Sequence, residues 1–573
     1  MKRRQFLRNT LLTGTSLSLG GLPIMVLGQQ NKLRMLATNS VNDRVLVILQ
    51  LHGGNDGLNS LVPIDEYDLY YSRRANIAIP KTGTNRALIE LDKTLPTAAQ
   101  VGLHPDMGDM KKLYDNGRLG LIQGVSYNNN NGSHFRGRDI WHMGGGPNDY
   151  FSSGWIGRYL QHAYEPEVYP DDFPNNNMKD PLAIELGSDV SLLFHQQGNI
   201  PASISLGGDP ESFADLVASL EGFRDDGIDP RGKPPVALAN SPYGKEMNWI
   251  LGLEDKTEDY AQRLREVWDI SSASSITYPE TYPFNAPTGS KRNPLSGQLQ
   301  LIARLLEGGG AGQGVKTKVF LLRLGGFDTH ANQVENYDST MGVHAAQMYH
   351  ISSAMKAFQD DLKARGLEER VLTITTSEFG RRISSNGSYG TDHGTGAPMF
   401  LFGPYAKSGV IGNVPNLNLS NVEMQYDFKQ IYAAILKDWF ELDDAVIQND
   451  VLFRDYRNGP DDNGGIFEPM DIIDTSLVTS VNNFIKEKFN MKPCYPNPAK
   501  DLVTFSYRIN AFTSVKLELT DLQGRVQKTI VDEIKQPGEY EVTISVSSLP
   551  AGQYVYKLAA GPIEDSYKLI IIK

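Results

Sequence analysis

One stretch in the second half of the chain places acidic and histidine side chains beside two runs that favour buried strands. Residues 371–376 form an apolar, β-branched run that ends at once in Ser-Glu-Phe-Gly, so Glu378 directly follows a predicted parallel strand. A glycine-rich segment then leads to Asp392 and His393, just before a second apolar run at 397–402. Open α/β sheets hold their chemistry at the carboxyl edge of the strands. The stretch therefore predicts an α/β fold with a site at that edge.

A segment upstream repeats this arrangement. Residues 318–324 have the composition of a strand, and Gly325 and Gly326 allow a sharp turn before Asp328 and His330. A carboxylate and an imidazole two residues apart on a loop can converge on one cation. Mixed histidine and carboxylate sets bind Zn, Mn or similar ions with positions left open for a substrate. We predict a site that holds one or two divalent metal ions, Zn or Mn, between Asp328, His330, Glu378, Asp392 and His393.

Asp56 also follows a predicted buried strand, residues 44–52, and lies in a glycine-rich turn. Two interpretations are open. Asp56 is a further acidic ligand, or it belongs to an Asn-Asp-Gly β-turn that carries no chemistry.

Ser133 stands at the start of a predicted helix that follows the strand-like run 118–125. Its hydroxyl would lie near the positive end of the helix dipole. The serine is either a plain helix cap or a nucleophile or ligand, and in the second case Arg136 would clamp an oxyanion.

Composition limits the classes of function. At roughly 150 residues per domain, a chain of 573 residues predicts two to four domains, or one large domain with appendages. A net charge of -12 without a basic tract argues against nucleic acid as a partner. Beyond the N-terminus, no apolar run approaches the ~20 residues of a membrane span. The single cysteine, Cys494, excludes intrachain disulfides and a paired-cysteine zinc site.

The two ends of the chain differ from its middle. Residues 1–28 have a paired-arginine start and a modest apolar stretch, which indicate a twin-arginine signal peptide, the alternative being a basic start on an ordinary helix. Residues 29–43 and 476–492 are predicted linkers, and 209–304 a predicted insertion or cap. From residue 493 to 573, alternating strands and turn signals predict a small antiparallel, immunoglobulin-like β-sandwich.

The C-terminal part carries YPNP at 495–498, DLQG at 521–524, LPAG at 549–552 and a final lysine. This set closely resembles the type A sorting domain of the type IX secretion system of Bacteroidetes. The resemblance implies that the type IX machinery carries the protein across the outer membrane, for secretion or attachment to the cell surface. The N-terminal signal predicts the step before it, export to the periplasm by the twin-arginine machinery.

Six ordered motifs mark the region 44–475: LQLHGGNDGLN, GLHPDM, SHFRGRDIW, LGGFDTHANQ, TTSEFGRR and GTDHGTGAPMFLFG. Together they resemble the family DUF1501, which is similar to the alkaline phosphatase and sulfatase superfamily. The resemblance implies an α/β/α sandwich with a mostly parallel central sheet and metals at its carboxyl edge. The site residues that it implies are Asp56, Asp328, His330, Glu378 and His393 as metal ligands and Ser133 as nucleophile, with Asp392 orienting His393 or acting as a ligand itself.

The sequence departs from the superfamily pattern at two places. Asp328 and His330 are closer together than usual, and Ser377-Glu378 stands where an Asp-His pair is usual. These departures raise the probability of a single-ion site, or of one that binds without turnover, above that for a typical phosphatase. Two hypotheses result. The protein is a secreted metal-dependent hydrolase of phosphate or sulfate esters, on a small molecule or a polysaccharide, or it is a non-catalytic secreted or cell-surface binding or scaffold protein.

Overall fold

The computed structural model describes most of the chain. The described residues are 17–19, 22–24, 42–206 without 84, 188 and 189, residue 256, 259–309, 313–476, and 490–573 without 510–512, 522–523, 536–537 and 561–562. Most of the predicted signal peptide, most of both predicted linkers and about the first half of the predicted insertion lie outside these residues. Within the predicted signal peptide, Leu17–Leu19 and Leu22–Ile24 are two short strands that pair antiparallel.

A nine-stranded sheet forms the centre of the main domain. Its strands are β1 Val45–Leu51, β2 Leu119–Ser126, β3 Ala183–Leu186, β4 Ser203–Leu206, β5 Val319–Leu324, β6 Val371–Thr376, β7 Ala397–Phe402, β8 Gly409–Ile411 and β9 Tyr426–Asp427. Their spatial order is β8-β2-β7-β6-β1-β5-β3-β4, and β9 pairs with β2 beside β8. Of the described strands in this sheet, only β7 runs antiparallel to its neighbours.

Helices cover both faces of this sheet. The longer ones are α1 Tyr67–Arg74, α2 Gly108–Asp115, α3 His134–Met143, α4 Trp155–Ala163, α5 Pro294–Glu307, α6 Val343–Ala364 and α7 Phe428–Ala434. Short helical pieces are Gly57–Ser60, Thr97–Ala99, Leu192–Phe194, Thr288–Lys291, Glu368–Arg370, Ile435–Trp439, Asp444–Val446 and Ile447–Val451. A separate antiparallel sheet contains Leu61–Pro63, Ile89–Glu90 and Val101–Leu103. Among the described helices, none combines the length and apolarity that a bilayer crossing needs.

The two-sided core explains why β1 is apolar throughout. All seven of its residues are buried. Val47 and Leu49 pack with α2, α5 and α6, whereas Leu46 and Ile48 pack on the opposite face with α3, α4 and α7. A strand buried on both faces loses the polar alternation of a half-exposed one. The predicted α/β/α sandwich with a mostly parallel sheet is confirmed.

The reversed direction of β7 decides what meets at the carboxyl edge. Because β7 is antiparallel to β2 and β6, its beginning lies at the edge where β1, β5 and β6 end. His393 precedes β7 and pairs as an isolated bridge with Arg381, which follows β6. The residues before β7 therefore join those that follow β5 and β6.

The C-terminal residues form two antiparallel sheets, as predicted for a β-sandwich. The strands are β10 Asn490–Met491, β11 Leu502–Ile509, β12 Thr513–Asp521, β13 Val526–Lys535, β14 Gly538–Ser545, β15 Gly552–Ala560 and β16 Ile563–Ile571. The sheets have the orders β10-β11-β14 and β13-β12-β15-β16. Their inward side chains, among them Phe505, Leu517 and Tyr556, form one buried cluster.

Two buried histidines should make the stability of the main domain depend on pH. Burial, with a contribution from nearby arginines, lowers the pKa of His142 to about 3 and that of His344 to about 4. An unfolded histidine has a pKa near ~6.5, so below this pH the unfolded chain binds more protons than the folded one. Stability is therefore lost as the pH falls below about 6.5, by on the order of 2 kcal/mol per histidine at pH 5.

Urea unfolding at pH 7.5 and pH 5 would measure this loss. Tryptophan fluorescence reports the main domain alone, because all the tryptophans precede residue 440. In His142→Phe, the free energy of unfolding that is lost between pH 7.5 and pH 5 should be smaller than in the wild type by about 2 kcal/mol, the contribution of one histidine. An acid loss equal to that of the wild type would contradict this assignment.

Candidate metal centre

Two loops and the first turn of a helix meet at the carboxyl edge of the sheet. His134 begins α3 after β2, Asp328 and His330 follow β5, and His393 precedes β7. The Nε2 atoms of His134, His330 and His393 lie 3.4, 3.2 and 3.4 Å from Asp328 Oδ1. The ligand atoms of His134, Asp328 and His393 all lie within 4.8 Å of one another. One carboxylate oxygen thus stands at the centre of three imidazole nitrogens.

The close approach of these loops requires glycine at two places. Gly53 follows β1 with φ +123°, and a Cβ there would lie 2.3 Å from the backbone nitrogen of Asp328. Gly137 lies in α3, where a Cβ would come within 3.3 Å of Glu378. Glycine is the residue that allows both the positive φ and the approach. These positions bring the β1, β5 and β6 loops and α3 together.

Arg381 fixes the central carboxylate. Its buried guanidinium lies 2.7 Å from Asp328 Oδ1 and also donates to the carbonyls of Gly54, Thr391 and Phe327. Burial alone would raise the pKa of Asp328, but the hydrogen bond and charge of Arg381 outweigh it, so that the pKa lies below its usual value. Asp328 is therefore ionised at neutral pH. Its side chain is 50% exposed, which leaves the cluster open to solvent.

Glu378 orients His134. Its Oε1 accepts from the backbone N–H of Gly53 at 2.8 Å and lies 2.9 Å from His134 Nδ1. A carboxylate can only accept here, so Nδ1 carries the proton and Nε2 presents its lone pair towards the cluster. Among the described residues, buried His134 Nε2 and buried Glu378 Oε2 have no hydrogen-bond partner. Such orphaned atoms indicate a group that belongs at the site.

The other two imidazoles are held in a similar way. His393 Nδ1 lies 2.8 Å from the carbonyl of Gly132, and His330 Nδ1 lies 3.5 Å from Asp392 Oδ1. Burial lowers the pKa of His393, which favours its neutral form. The hydrogen bond that Asn386 donates to Asp392 is the main reason that the pKa of Asp392 lies below its usual value. Each ring therefore turns Nε2 towards Asp328.

The nitrogen and oxygen donors fit a divalent cation. His330 Nε2 and His393 Nε2 are 2.9 Å apart, so the two nitrogens need a shared proton or a cation between them. Imidazole nitrogen with carboxylate oxygen is the donor set of zinc and similar transition-metal sites. The orphaned Nε2 of His134 agrees with this interpretation.

Three residues predicted for the site make other contacts. Asp56 is buried, with its oxygens 2.9 and 2.8 Å from Arg74 Nη1 and a hydrogen bond from Gln333. Ser133 is the N-cap of α3, and its hydroxyl accepts from the backbone N–H of Arg136 at 3.5 Å. This geometry confirms the helix cap and leaves the predicted nucleophile role open.

Arg136 is the third of these residues. Its guanidinium donates to the carbonyls of Pro147 and Asp149 and stacks 4.0 Å from the ring centre of Tyr150. These contacts fasten the loop after α3. Its hydrogen bonds within the described residues are made with this loop, so its role as an oxyanion clamp stays a prediction.

Sequence reasoning missed two residues of the centre, His134 and Arg381. His134 directly follows the capping serine after a strand, which is the same signal that identified Glu378. The sequence interpretation gave that position to Ser133 instead. Arg381 had no separate signal, because a buried arginine and a surface arginine look alike in a sequence.

The fold and the cluster define a mixed α/β protein with a histidine and carboxylate centre at the carboxyl edge of its sheet. Residues 249–448 match the model of a family described as protein of unknown function, DUF1501. Residues 493–573 match the model of the secretion system C-terminal sorting domain. Both predicted resemblances are confirmed over these segments. No match is found among curated proteins.

Solved structures to which the chain is similar include a protein of the alkaline phosphatase superfamily from Vibrio parahaemolyticus, with 10% identity, a TM-score of 0.30 and coverage of 87% of this chain and 78% of that one. A second is the PsFucS1 sulfatase from Pseudoalteromonas sp., with 12% identity, a TM-score of 0.28 and coverage of 93% of this chain and 91% of that one. A third is the phosphonate monoester hydrolase SpPMH from Silicibacter pomeroyi, with 12% identity, a TM-score of 0.22 and coverage of 92% of this chain and 89% of that one. Likeness at this level carries no argument about activity.

Proposed function

We propose that the protein is a secreted metal-dependent hydrolase of phosphate or sulfate esters. The observation that carries this proposal is the convergence of three imidazole Nε2 atoms on Asp328 Oδ1, half exposed at the carboxyl edge of the sheet. Asp328, His134, His330 and His393 would hold a divalent cation, Zn or Mn. One shared oxygen at their centre favours a single ion. The substrate would be a phosphorylated or sulfated small molecule or polysaccharide.

A bound cation would polarise a phosphoryl or sulfuryl oxygen and lower the pKa of a water or hydroxyl bound beside it. The protein's own residues do the rest. Arg381 keeps Asp328 ionised, while Glu378 and Asp392 hold the tautomers of His134 and His330. Ser133 is exposed beside His134, at the positive end of α3, and is our proposed nucleophile.

Glu378 acts in this proposal through His134 and is a positioning residue. A carboxylate that accepts from a ligating imidazole fixes its orientation and raises its basicity. We expect Glu378→Gln to weaken metal binding by about 10 to 100-fold, because the amide keeps an acceptor but loses the charge. Competition between the protein and a chromophoric zinc chelator would measure the affinity, and the cobalt-loaded spectrum would report ligand geometry.

Glu165→Gln is the matched control, because that carboxylate is 62% exposed and lies just after the end of α4. Its metal affinity should equal that of the wild type. If Glu378→Gln bound metal as tightly as this control does, Glu378 would have no part in the centre. Loss of one ligand from the cobalt spectrum would instead make it a direct ligand, as the sequence predicted.

The C-terminal match supports the proposed location. A secretion sorting domain occupies 493–573, and we propose that it uses the type IX machinery after twin-arginine export of the folded chain to the periplasm. The protein would then be released or attached at the cell surface. A hydrolase there would meet extracellular esters before their products enter the cell.

Metal content and turnover test the proposal together. Protein purified without chelators would be analysed by elemental mass spectrometry and then assayed with aryl phosphates and aryl sulfates. Stoichiometric Zn or Mn with turnover would support a hydrolase. Bound metal without turnover of any ester would favour the non-catalytic binding protein. Folded protein without metal would overturn the proposed centre.

A further inference from the structure

A buried glutamine joins two loops of the metal centre. Gln333 lies in the loop after β5 and is fully buried. Its Oε1 accepts from the Thr329 hydroxyl at 2.9 Å and from the Thr391 hydroxyl at 3.1 Å. Thr329 belongs to the same loop as Gln333, whereas Thr391 belongs to the loop that precedes β7. One amide oxygen therefore holds a hydroxyl from each loop.

The two threonines stand beside residues of the cluster. Thr329 lies between Asp328 and His330, and His393 follows shortly after Thr391. The backbone N–H of Thr391 also donates to the carbonyl of Thr329 at 3.0 Å. A shift of one threonine relative to the other would therefore move the imidazoles of the two loops relative to each other.

A carboxylate sets the orientation of the Gln333 amide. Gln333 Nε2 donates to Asp56 Oδ2 at 2.6 Å. Asp56 is ion-paired with the buried guanidinium of Arg74, and an ionised carboxylate can only accept a hydrogen bond. The amide nitrogen must therefore face Asp56, which leaves the amide oxygen to face the threonines. The Asp56 ion pair thus reaches the metal centre through Gln333.

This orientation makes both threonine hydroxyls donors. An amide oxygen carries no proton, so Thr329 and Thr391 each direct their hydroxyl proton towards Gln333 Oε1. A second acceptor near the Thr329 hydroxyl, the carbonyl of Phe327, lies farther away at 3.5 Å. Asp56, Gln333 and both threonines are buried. A buried polar network whose members are all paired is rigid and favours one arrangement.

We infer that Gln333 is a positioning residue of the metal centre, which locks the loop of Asp328 and His330 to the loop of His393. The spacing of these loops matters because His330 Nε2 and His393 Nε2, one from each loop, lie 2.9 Å apart. A functional site needs its groups held within about 0.5 Å of the productive geometry. The inference rests on the proposed function for the bound cation, whereas the link between the loops does not require it.

Amide hydrogen exchange of the metal-stripped full chain would test this link. Gln333→Met keeps an unbranched side chain and removes the three hydrogen bonds of the amide. Peptides that cover residues 328–334 and 386–393 should exchange at least about tenfold faster than in the wild type, because the loops then open at a lower cost. Mass spectrometry would measure the exchange, corrected for the intrinsic rate of each sequence.

The threonine at the other end of the bond provides two further variants. Thr391→Val loses one donor and should raise the exchange of both loops by a smaller factor. Thr391→Ser keeps the hydroxyl and should exchange as the wild type does.

Zinc affinity and the cobalt spectrum would test the effect on the centre. Gln333→Met should bind zinc at least about tenfold more weakly, in competition with a chromophoric chelator, because the ligands lose their support. Its cobalt-loaded spectrum should also differ from that of the wild type, since a displaced loop alters the ligand geometry. Thr391→Ser should show the wild-type affinity and spectrum. A merely structural role would lower the unfolding midpoint and leave the cobalt spectrum unchanged.

Gln359→Met is the matched control. Gln359 is another fully buried glutamine, towards the C-terminal end of α6, and its side-chain amide makes no hydrogen bond within the described residues. Loop exchange, zinc affinity and the cobalt spectrum should all equal those of the wild type.

Loop exchange in Gln333→Met that is no faster than in Gln359→Met would overturn the inference. Faster exchange with unchanged zinc affinity and cobalt spectrum would overturn it too, because the loops would then be joined without positioning the ligands. If Gln333→Met does not fold, Thr391→Val decides by the same measurements. A folded wild type that binds no metal would overturn the hydrolase, and loop exchange would then decide alone whether Gln333 positions the two loops.

Discussion

Replacing His393 or Asp328 with alanine should remove the bound metal and the ester hydrolysis together. Asp328 Oδ1 lies within 3.4 Å of three imidazole nitrogens, so its loss takes away the group at the centre of the cluster. His393 contributes Nε2, 3.4 Å from that oxygen and 2.9 Å from His330 Nε2. A cation supplies several kcal/mol of transition-state stabilisation, so turnover should fall by at least about a thousandfold.

His162→Ala is a suitable control for these variants. His162 lies on α4, 36% exposed, with Glu165 as its neighbour. Metal content by elemental mass spectrometry and turnover should both stay at the wild-type level there. Unfolding midpoints would show that the two site variants are folded. Full metal content in folded His393→Ala would show that the cation is held elsewhere.

A large loss of stability is expected from Asp56→Asn. The Asp56 and Arg74 side chains are 1% and 0% exposed and are bound to each other at 2.8 Å. Arg74 also donates to the carbonyls of Ile383 and Arg382, so it cannot turn to solvent when the carboxylate is replaced. Breaking a buried ion pair from one side costs about 3–5 kcal/mol, because an uncompensated charge stays behind. Urea unfolding followed by tryptophan fluorescence would measure this cost.

The same variant also decides between two roles for Asp56. A structural ion pair predicts that folded Asp56→Asn keeps its metal. Loss of metal with unchanged stability would instead support the ligand role predicted from the sequence. Asp115→Asn provides the comparison, because Asp115 is 53% exposed and its ion pair is with Lys111, one turn away on α2. Its stability should change by less than about 0.5 kcal/mol.

Strand ends were the part of the structure that the sequence predicted best. The apolar runs before Glu378 and Asp328 are buried strands, and both residues reach the carboxyl edge as expected. Their order in the sheet and the reversed direction of β7 depend on tertiary pairing, which leaves no local mark in a sequence. The antiparallel pairs of the C-terminal domain were easier to predict, because one-sided burial produces visible alternation.

The roles of individual side chains were harder to predict than their place. Glu378 lies at the centre, but whether a carboxylate contacts a cation or an imidazole depends on a difference of a few ångströms. Arg136 was expected at the site, but its guanidinium is bound to the loop after α3. No local pattern in a sequence shows where the end of so long a side chain will lie.

The cluster joins residues that are far apart along the chain, from His134 to His393, at an edge where the ends of three strands meet the start of a fourth. A cation held there would bind the folded chain and not the unfolded one, so its binding free energy would be added to the free energy of unfolding. At a free concentration a thousand times the dissociation constant, this linkage amounts to about 4 kcal/mol. The loops of the site would then resist local opening and proteolysis most where the cation is plentiful.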